Sequence, residues 1–420
     1  MVSVVASRAD GGTPHVLILS QYFWPESFRI NEIAESLRDA GCKVSVLTGQ
    51  PNYPDGKVFD GYSAFGCGRS QHPSGIPVYR VPLVPRGQGS AIGLALNYLS
   101  FVLAGATLGP WLLRGQRIDV VFVYGISPIL QAVVGVVLQY THGAKLVTWV
   151  QDLWPQSLAV TGYLRNERAL AMVAAVVRWI YRRSDLLLVQ SEAFRSMVRE
   201  YAGGTPIEFH PNPGERAFEQ SGPDELAALS LPVGFNVVFA GNLGNAQSLD
   251  TILDAAELLR DRVRVRFVLI GSGGRTAWLE QQLRLRQLTN VLMPGRFPVE
   301  QMPALLRQAA VLLVTLARSP IMELTIPSKV QAYLAAGKPI IASMDGEGAR
   351  IVAESGAGLA CPAEDAIALA DAVAALSEAD EQRLAEMGRA GRDYYTKHFH
   401  PDTLARALRR RFHALGAVTG

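Results

Sequence analysis

The sequence predicts an α/β protein built from two Rossmann-like, doubly wound parallel sheets that face each other. Three observations predict it. Short apolar runs alternate with helical patterns from His15 to Gln190. The same alternation starts again at Asn236, after a polar interruption. Finally, 420 residues, of which 49% are hydrophobic, are enough for one or two large cores.

The first half opens with an apolar run at His15–Ser20, followed by a helix from about Arg29 to Ala40 and a strand at Lys43–Thr48. Residues 1–14 are polar and lack an apolar segment, so they predict a loose leader rather than a signal peptide. Further elements are predicted up to Gln190: strands at 78–82, 120–123, 145–150 and 186–190, and helices at 128–140 and 167–183.

The polar, proline-bearing stretch from His210 to Asp224 marks the predicted domain boundary. We expect a first domain over 1–215, a second over 216–398, and a C-terminal helix over 399–420 that returns to the first. The second domain should contain strands at 236–241, 264–271, 291–293, 311–315, 339–343 and 358–361. In open α/β sheets, ligands bind at the carboxyl ends of the strands.

Composition excludes several classes of protein. A formal net charge of +3 without a Lys/Arg run argues against nucleic-acid binding. The three cysteines, Cys42, Cys67 and Cys361, are far apart, so neither a disulfide framework nor a zinc site is predicted. A reducing cytoplasm fits this usage. No motif requires a metal.

Two apolar segments indicate a possible membrane contact. Residues 91–113 carry no charge, and that length could span a bilayer, dock on its surface or form part of the core. Asn97, Pro110 and the neighbouring strands argue against spanning. Residues 169–183 end in arginines and aromatics, which is typical of a helix on anionic headgroups but equally of a core helix with a cationic end.

The segment Thr325–Ser343 predicts a helix followed at once by a buried strand. Pro327 suits the first turn, Ser328 can cap the free amides, and Lys329 adds a cation. Gly337 should end the helix. A helix N-terminus beside a lysine is a candidate phosphate site, although the same pattern also occurs in an ordinary αβ unit.

Two glycine-bearing loops should line the same edge of the second sheet. Ala240–Gln247 contains Gly241, Asn242 and Gly244, and a second loop contains Gly271 and Gly273. Glycines allow a ligand to approach backbone N–H groups closely, although such loops often only make tight turns. Together with residues 327–329, they favour a nucleotide.

In the first half, Asp152 follows a buried strand and is a candidate for a sugar hydroxyl contact or a general base. It could instead cap a helix or pin a loop. The aromatic loop Tyr22–Arg29 carries Glu26 and Arg29, a combination that suits sugar faces and hydroxyls, or packing between domains.

The chain resembles the GT-B glycosyltransferases of family 4. The resemblance rests on Gln21–Glu26, Leu47–Pro54, Gln151–Pro155, Gly241–Asn242 and Pro327–Lys329, with Gly337–Pro339, and covers about residues 15–415. Within that family, the chain is similar to the enzymes that synthesise the repeat units of bacterial O-antigen, capsular polysaccharide and colanic acid, which include L-fucosamine transferases.

This resemblance implies retaining transfer from a nucleotide sugar, favouring UDP, to a polyprenyl-diphosphate saccharide at the inner membrane face. The donor would lie on the second half and the acceptor on the first, with Glu26, Arg29, Asn52 and Tyr53 as candidate acceptor residues. The protein would be cytoplasmic and peripherally attached to the inner membrane.

The chain departs from the family pattern at several donor positions. Asn242 and Gln247 stand where the family places an arginine and a lysine, and Ala332, beside Gln331, replaces a glutamate that holds the ribose. Glu323 lies one step from the position of the other family glutamate. We therefore expect Lys329, the amides of residues 327–329 and Arg296 to bind the diphosphate without a metal, with Lys329 and Asp152 as the candidate catalytic residues.

Three alternatives stay open. They are a nucleotide-sugar epimerase on the same fold, a phosphorylase, and a catalytically dead scaffold docked on the membrane. The missing glutamate and the apolar segment 91–113 motivate the scaffold.

Overall fold

The computed structural model describes residues 13–87, 90–160, 164, 166–218 and 230–417. It divides into two units. The first comprises residues up to Val189, Arg195–His210 and Leu404 onward, and the second comprises Gln190–Phe194 and Pro211–Thr403. The change of unit after His210 falls five residues before the predicted boundary at 215. Residues 1–12 of the predicted leader and residues 219–224 of the predicted boundary stretch lie outside the described residues.

The first unit contains eight strands in one sheet. They are β1 (His15–Leu19), β2 (Lys43–Thr48), β3 (Gly68–Gln71), β4 (Pro77–Arg80), β5 (Val120–Gly125), β6 (Lys145–Val150), β7 (Leu186–Val189) and β8 (Ile207–Phe209). Its helices are α1 (Ile30–Asp39), α2 (Ala91–Leu112), α3 (Ala132–His142), α4 (Gln156–Val160), α5 (Glu167–Tyr181) and α6 (Phe194–Ala202), the last starting at the change of unit.

The strand order is β3-β4-β2-β1-β5-β6-β7-β8, so the winding reverses between β1 and β5. β1 pairs in parallel with both neighbours, as the continuous apolar runs predict. One strand differs from the predicted all-parallel sheet, because β3 pairs antiparallel with β4 at the edge. Its sequence is Gly68-Arg-Ser-Gln71, which is polar and largely exposed and therefore lacks the apolar pattern of a buried strand.

Helix α2 covers the apolar segment 91–113. The model places Asn97, Phe101, Gly105 and Gly109 on its inner face, where a Cβ on Gly105 would lie 2.9 Å from Val134 of α3. Within the described residues, Ile92–Leu112 is long and apolar enough to cross a membrane by length and composition, and 28% of its most apolar window is buried. The helix therefore packs on its unit by one face only.

The second unit carries a six-stranded parallel sheet in the order β11-β10-β9-β12-β13-β14. The strands are β9 (Phe235–Ala240), β10 (Val265–Ile270), β11 (Val291–Gly295), β12 (Val311–Thr315), β13 (Ile340–Ser343) and β14 (Gly358–Cys361). Its helices are α7 (Leu249–Leu258), α8 (Thr276–Arg286), α9 (Met302–Arg307), α10 (Pro320–Glu323), α11 (Ser328–Ala336), α12 (Glu347–Glu354), α13 (Ala366–Ser377) and α14 (Glu381–His398).

The winding of this second sheet reverses between β9 and β12, where open α/β sheets bind ligands. The last helix, α15 (Pro401–Ala417), leaves the second unit at its first turn. Leu408 and Phe412 are buried in the core of the first unit, where Phe412 lies 5.3 Å from the ring of Phe122 in β5. The predicted C-terminal crossover is confirmed.

Candidate active site

A cavity of about 660 Å³ opens at the carboxyl ends of β9 and β10. Six of the predicted residues line it: Gly241, Asn242, Gly271, Arg296, Ser328 and Lys329. All belong to the second unit. The reversal of winding between β9 and β12 leaves this edge open, so the loops after the strands surround a space large enough for a nucleotide.

Two glycines let the loops after β9 and β10 approach each other. Gly241 has φ +137° and Gly271 has φ +141°, in the region that favours glycine. A Cβ on Gly271 would lie 1.8 Å from the Gly241 carbonyl oxygen, and a Cβ on Gly241 would lie 2.6 Å from Lys329 Cε. Only glycine fits at either place without moving the backbone or the lysine.

The N-terminus of α11 faces this cavity, but its capping differs from the prediction. Pro327, in extended conformation with ψ 138°, is the N-cap, and Ser328 is the first helical residue. No side chain caps the helix, so the expectation that Ser328 does so was wrong. Because the cap residue is a proline, it offers the first-turn N–H groups no side-chain acceptor, and such groups are the ones that bind anions at helix N-termini.

Lys329 lies in that first turn, half-buried against the floor of the cavity. Its Nζ lies 3.7 Å from the centre of the Phe239 ring and donates a hydrogen bond to Gln247 Oε1. Burial lowers the pKa of Lys329 to about 7. The ammonium thus has one neutral amide and one ring face as partners, and a diphosphate would supply the missing negative charge.

The remaining predicted donor residues do not line the cavity. Gly244 and Gly273 pack on Asn242, while Gln247 acts through Lys329. Glu323 ends α10. Gln331 is buried and donates to the Asn212 carbonyl oxygen at 2.7 Å, which anchors the chain just after the change of unit.

The sequence did not predict part of the cavity lining. This part is apolar and consists of Phe297, Val299, Met302 and Leu306, and Glu215 adds a carboxylate. The four apolar residues lie just before or within a 3-10 turn and α9, where apolar residues are typical of an ordinary core. Nothing in the local pattern distinguishes the lining of a cavity from ordinary packing, so only the fold shows that these residues line one.

In the first unit, Glu26 pins two loops together. Its Oε1 accepts from the N–H groups of Asn52 and Tyr53, both at 2.8 Å, and its Oε2 accepts from Phe23 N at 3.2 Å. The side chain is buried, and burial raises its pKa to about 7. This carboxyl sets the shape of the loops after β1 and β2.

Asn97, on the inner face of α2, extends this network. Its Oδ1 accepts from Gln21 Nε2 at 2.7 Å, and its Nδ2 donates to the Val84 carbonyl oxygen at 2.7 Å. Nδ2 also lies 3.4 Å from Asn52 Oδ1. One fully buried amide therefore connects α2 to three loops at the carboxyl edge of the first sheet.

The other predicted acceptor residues surround this edge. Tyr53 is 39% exposed, lies 5.1 Å from the ring of Phe28, and has the Arg86 guanidinium 4.9 Å from its centre. Arg29 is the N-cap residue of α1. Asp152 is half-buried after β6 and accepts from Trp154 Nε1 at 3.3 Å.

Among the described residues, no three His, Cys, Asp or Glu side chains are grouped so that they could hold a metal ion. The lining of the cavity combines the backbone after β9 and β10, the cations Lys329 and Arg296, and several apolar side chains. Fixed N–H donors and cations stabilise negative charge that develops on a leaving group. The arrangement suits a nucleoside diphosphate with its phosphates on α11.

Comparison with known proteins agrees with this architecture. Residues 27–213 match the family model described as "Glycosyl transferase 4-like domain", and residues 234–379 match "Glycosyl transferases group 1". The chain is 29% identical over 285 residues to "Probable glycosyltransferase WbjE" of Pseudomonas aeruginosa, which covers 66% of this chain and 70% of that protein.

Two further likenesses extend over most of the chain. It is 27% identical over 317 residues to "Putative colanic acid biosynthesis glycosyl transferase WcaI" of Escherichia coli K12, covering 73% of this chain and 76% of that one. The crystal structure of Anabaena Alr3699/HepE in complex with UDP superimposes with a TM-score of 0.69 at 16% identity, covering 95% and 100% of the two chains. With two α/β units and a glycosyltransferase family model matched in each half, over 27–213 and 234–379, the chain belongs to the family 4 glycosyltransferases of GT-B fold.

Proposed function

We propose that this enzyme transfers a sugar from a UDP-sugar to a polyprenyl-diphosphate-linked saccharide, with retention of configuration, in the synthesis of a bacterial surface polysaccharide. An N-acetylated deoxyhexosamine such as N-acetyl-L-fucosamine is the candidate sugar. The observation that carries the proposal is the cavity of the second unit, which is lined by Lys329 and Arg296 and by apolar side chains. The names of WbjE and WcaI support the polysaccharide context.

Donor binding would use the whole cavity. The base lies against Phe297 and Met302, with the ribose within reach of Glu215. The diphosphate lies on the first-turn amides of α11, between Lys329 and Arg296. HepE, which shares the fold, was crystallised with UDP, and this supports uridine as the base.

The chemistry follows from the charge that these groups face. As the bond between the anomeric carbon and the phosphate oxygen breaks, negative charge grows on the diphosphate. Lys329, Arg296 and the amides of α11 stabilise that charge without having to reorganise, so no metal is needed. An ammonium with a pKa of about 7 becomes fully charged beside the diphosphate and gains most when the leaving group departs.

The first unit would bind the acceptor. Tyr53 presents a partly exposed ring for a sugar face, and Glu26 and Asn97 fix the loop that carries it. Asp152 is our candidate for the base or acceptor hydroxyl contact. A polar acceptor on a lipid carrier fits a protein that contacts the membrane beside these loops.

The membrane contact would be α2. Its outer face is a row of exposed apolar side chains, 50–75% exposed, comprising Ile92, Leu96, Leu99, Leu103 and Trp111. Met172 and Trp179 of α5 are exposed as well, and the Arg183 guanidinium lies 4.4 Å from the Trp179 ring. Apolar and aromatic side chains flanked by arginines favour an interfacial position, so we propose peripheral attachment to the cytoplasmic face of the inner membrane.

Nucleotide-dependent thermal stabilisation tests the donor assignment. UDP and UDP-sugars should raise the melting temperature with or without a chelator, whereas GDP and ADP should not, because ligand binding adds RT ln(1 + [L]/Kd) to stability. Acceptor-dependent release of UDP then separates transfer from epimerisation, which would yield a new nucleotide sugar without acceptor. A protein that no nucleotide stabilises would contradict the proposal and favour a dead scaffold.

A further inference from the structure

A second cavity, of about 570 Å³, lies in the first unit, at the C-terminal end of α2. It is bounded by the amino ends of β1 and β2, by the edge strand β3 and its neighbour β4, and by the last turn of α2. None of the residues proposed above for acceptor binding lines it. Its place in the fold, at the amino ends of the strands, separates it from the predicted catalytic edge.

The floor of this cavity consists of buried polar side chains with defined partners. His15 Nε2 lies 2.9 Å from Ser45 Oγ, and its Nδ1 lies 2.6 Å from the Arg117 carbonyl oxygen. Gln116 Nε2 donates to the Tyr79 hydroxyl at 2.8 Å. His15, Ser45 and Tyr79 are each at most 6% exposed. A floor held in this way is preorganised rather than a gap between mobile side chains.

The rim of the cavity carries positive charge. Lys43, Arg69 and Arg114 line it, and none of the described residues that line it is an Asp or Glu. Asp119, which immediately precedes β5, accepts from His15 N at 2.8 Å and pairs with Arg117 at 3.3 Å. Three cations around one concave polar surface, without an acid among the lining residues, favour an anionic ligand.

Aromatic rings hold two of these cations in position. The Arg114 guanidinium lies 4.6 Å from the centre of the Trp111 ring, and that of Arg69 lies 5.8 Å from the centre of the Tyr79 ring. Planar guanidinium groups supported in this way can bind phosphate oxygens in a forked geometry. Trp111 is also the last member of the apolar row on α2, so the cavity begins where that row ends.

The geometry points to a binding site for the phosphate of an anionic membrane lipid, formed by Lys43, Arg69 and Arg114 at the end of α2. This inference rests on the membrane contact proposed above. With α2 lying in the interface, its apolar row would contact acyl chains, Trp111 would lie at headgroup level, and the cavity would receive the lipid phosphate. The site would make attachment selective for acidic lipids.

The test uses the full chain and a soluble short-chain lipid. Dihexanoylphosphatidylglycerol, kept monomeric below its micelle concentration, is titrated by calorimetry against the wild type, with dihexanoylphosphatidylcholine and inorganic phosphate as comparison ligands. The test variant is Lys43→Gln/Arg69→Gln/Arg114→Gln. The control is Arg389→Gln/Arg392→Gln/Lys397→Gln on α14, which removes the same charge from exposed positions outside the cavity.

We expect one saturable site for the acidic lipid, weakened at least about tenfold in the test variant and unchanged in the control, since each basic residue near an anionic lipid contributes about fivefold. UDP stabilisation should persist in both variants, which shows that they are folded. If the triple variant does not fold, Arg69→Gln and Arg114→Gln are measured singly, and each should show part of the loss.

Three results would overturn the inference. They are an equal loss in the control, an unchanged affinity in the test variant, and inorganic phosphate binding as tightly as the lipid, which would mean a free-anion site. Vesicle flotation separates this inference from the membrane contact. If the wild type floats equally with neutral and acidic vesicles, the membrane contact through α2 is supported and the acidic-lipid site is refuted. If calorimetry shows a saturable lipid site but the protein does not float, only the membrane contact is refuted.

Discussion

Replacing Lys329 with methionine separates its role in donor binding from its role in stability. Methionine keeps an apolar stem of similar length but removes the charge over Phe239. Burial lowers the pKa of this lysine from 10.5 to about 7. At 1.36 kcal/mol per pKa unit, this corresponds to an upper bound of about 5 kcal/mol, and partial exposure reduces it to about 1–3 kcal/mol.

The sign of the stability change follows from proton binding. Because its folded-state pKa is depressed, the lysine destabilises the folded protein most below about pH 7, where it must carry a buried charge. Its penalty fades as the pH rises towards 10.5. Lys329→Met should therefore be more stable than the wild type in acid, and the difference in free energy of unfolding should shrink towards alkaline pH.

Donor affinity should change in the opposite sense. A UDP-sugar keeps its diphosphate fully ionised, so affinity should fall up to about tenfold per pH unit above pH 7, where free Lys329 loses its proton. In Lys329→Met, affinity should be about a hundredfold lower at pH 7 and nearly independent of pH. Calorimetry over this range measures both effects.

A matched control is Gln247→Leu. It removes the amide that accepts from Lys329 Nζ, so the ammonium loses a partner and the midpoint of the affinity profile should move to lower pH. A wild-type affinity that does not vary with pH, or a Lys329→Met variant that binds the donor normally, would refute the assignment of Lys329 to the diphosphate.

Three further substitutions probe the account. Gly241→Ala places a Cβ against Lys329 Cε at φ +137°, and should weaken UDP binding at least about tenfold in thermal-shift titrations, whereas unaltered binding would contradict the close approach. Glu26→Gln removes a buried carboxyl with a pKa near 7. As the pH rises from about 4.5 to 7, the free energy of unfolding of the wild type, measured in urea, should fall by up to about 3 kcal/mol relative to that of the variant. Parallel pH profiles of the two proteins would refute this. Asn97→Leu should raise KM for the acceptor about tenfold or more and leave KM for the donor unchanged. Phe101 is the neighbour of Asn97 on the inner face of α2, and Phe101→Leu should lower stability without changing either KM. If both substitutions change KM equally, Asn97 has only a structural role.

The sequence predicted most strands of the two sheets because buried parallel strands are continuous apolar runs. β2 begins and ends where the run Lys43–Thr48 does, and Gly337 ends α11 in the left-handed conformation, as expected. It missed two strands, one at each edge of the first sheet: β3, which is polar and carries no such pattern, and β8, which is only three residues long. Local chemistry predicts elements best where burial is complete.

Side-chain roles were harder to predict because they depend on contacts distant in sequence. In the sequence, Asn97 is a polar residue within an apolar helix, and nothing local indicates its role, because its hydrogen-bond partner Gln21 lies 76 residues away. Gln331, expected at the nucleotide, is turned to a carbonyl 119 residues away. The position of Lys329 in the first turn of α11 was predictable because it is a local feature, and its role at a diphosphate stays a prediction.

The most direct test of the proposed function is the anomeric configuration of the product. The enzyme is incubated with UDP-sugars and a polyprenyl-diphosphate saccharide, and the new linkage is read from its anomeric NMR coupling. We expect UDP release that requires the acceptor, a product with the donor's configuration, and loss of both in Lys329→Met. An inverted linkage would contradict retention, and full turnover by Lys329→Met would contradict the donor site described here.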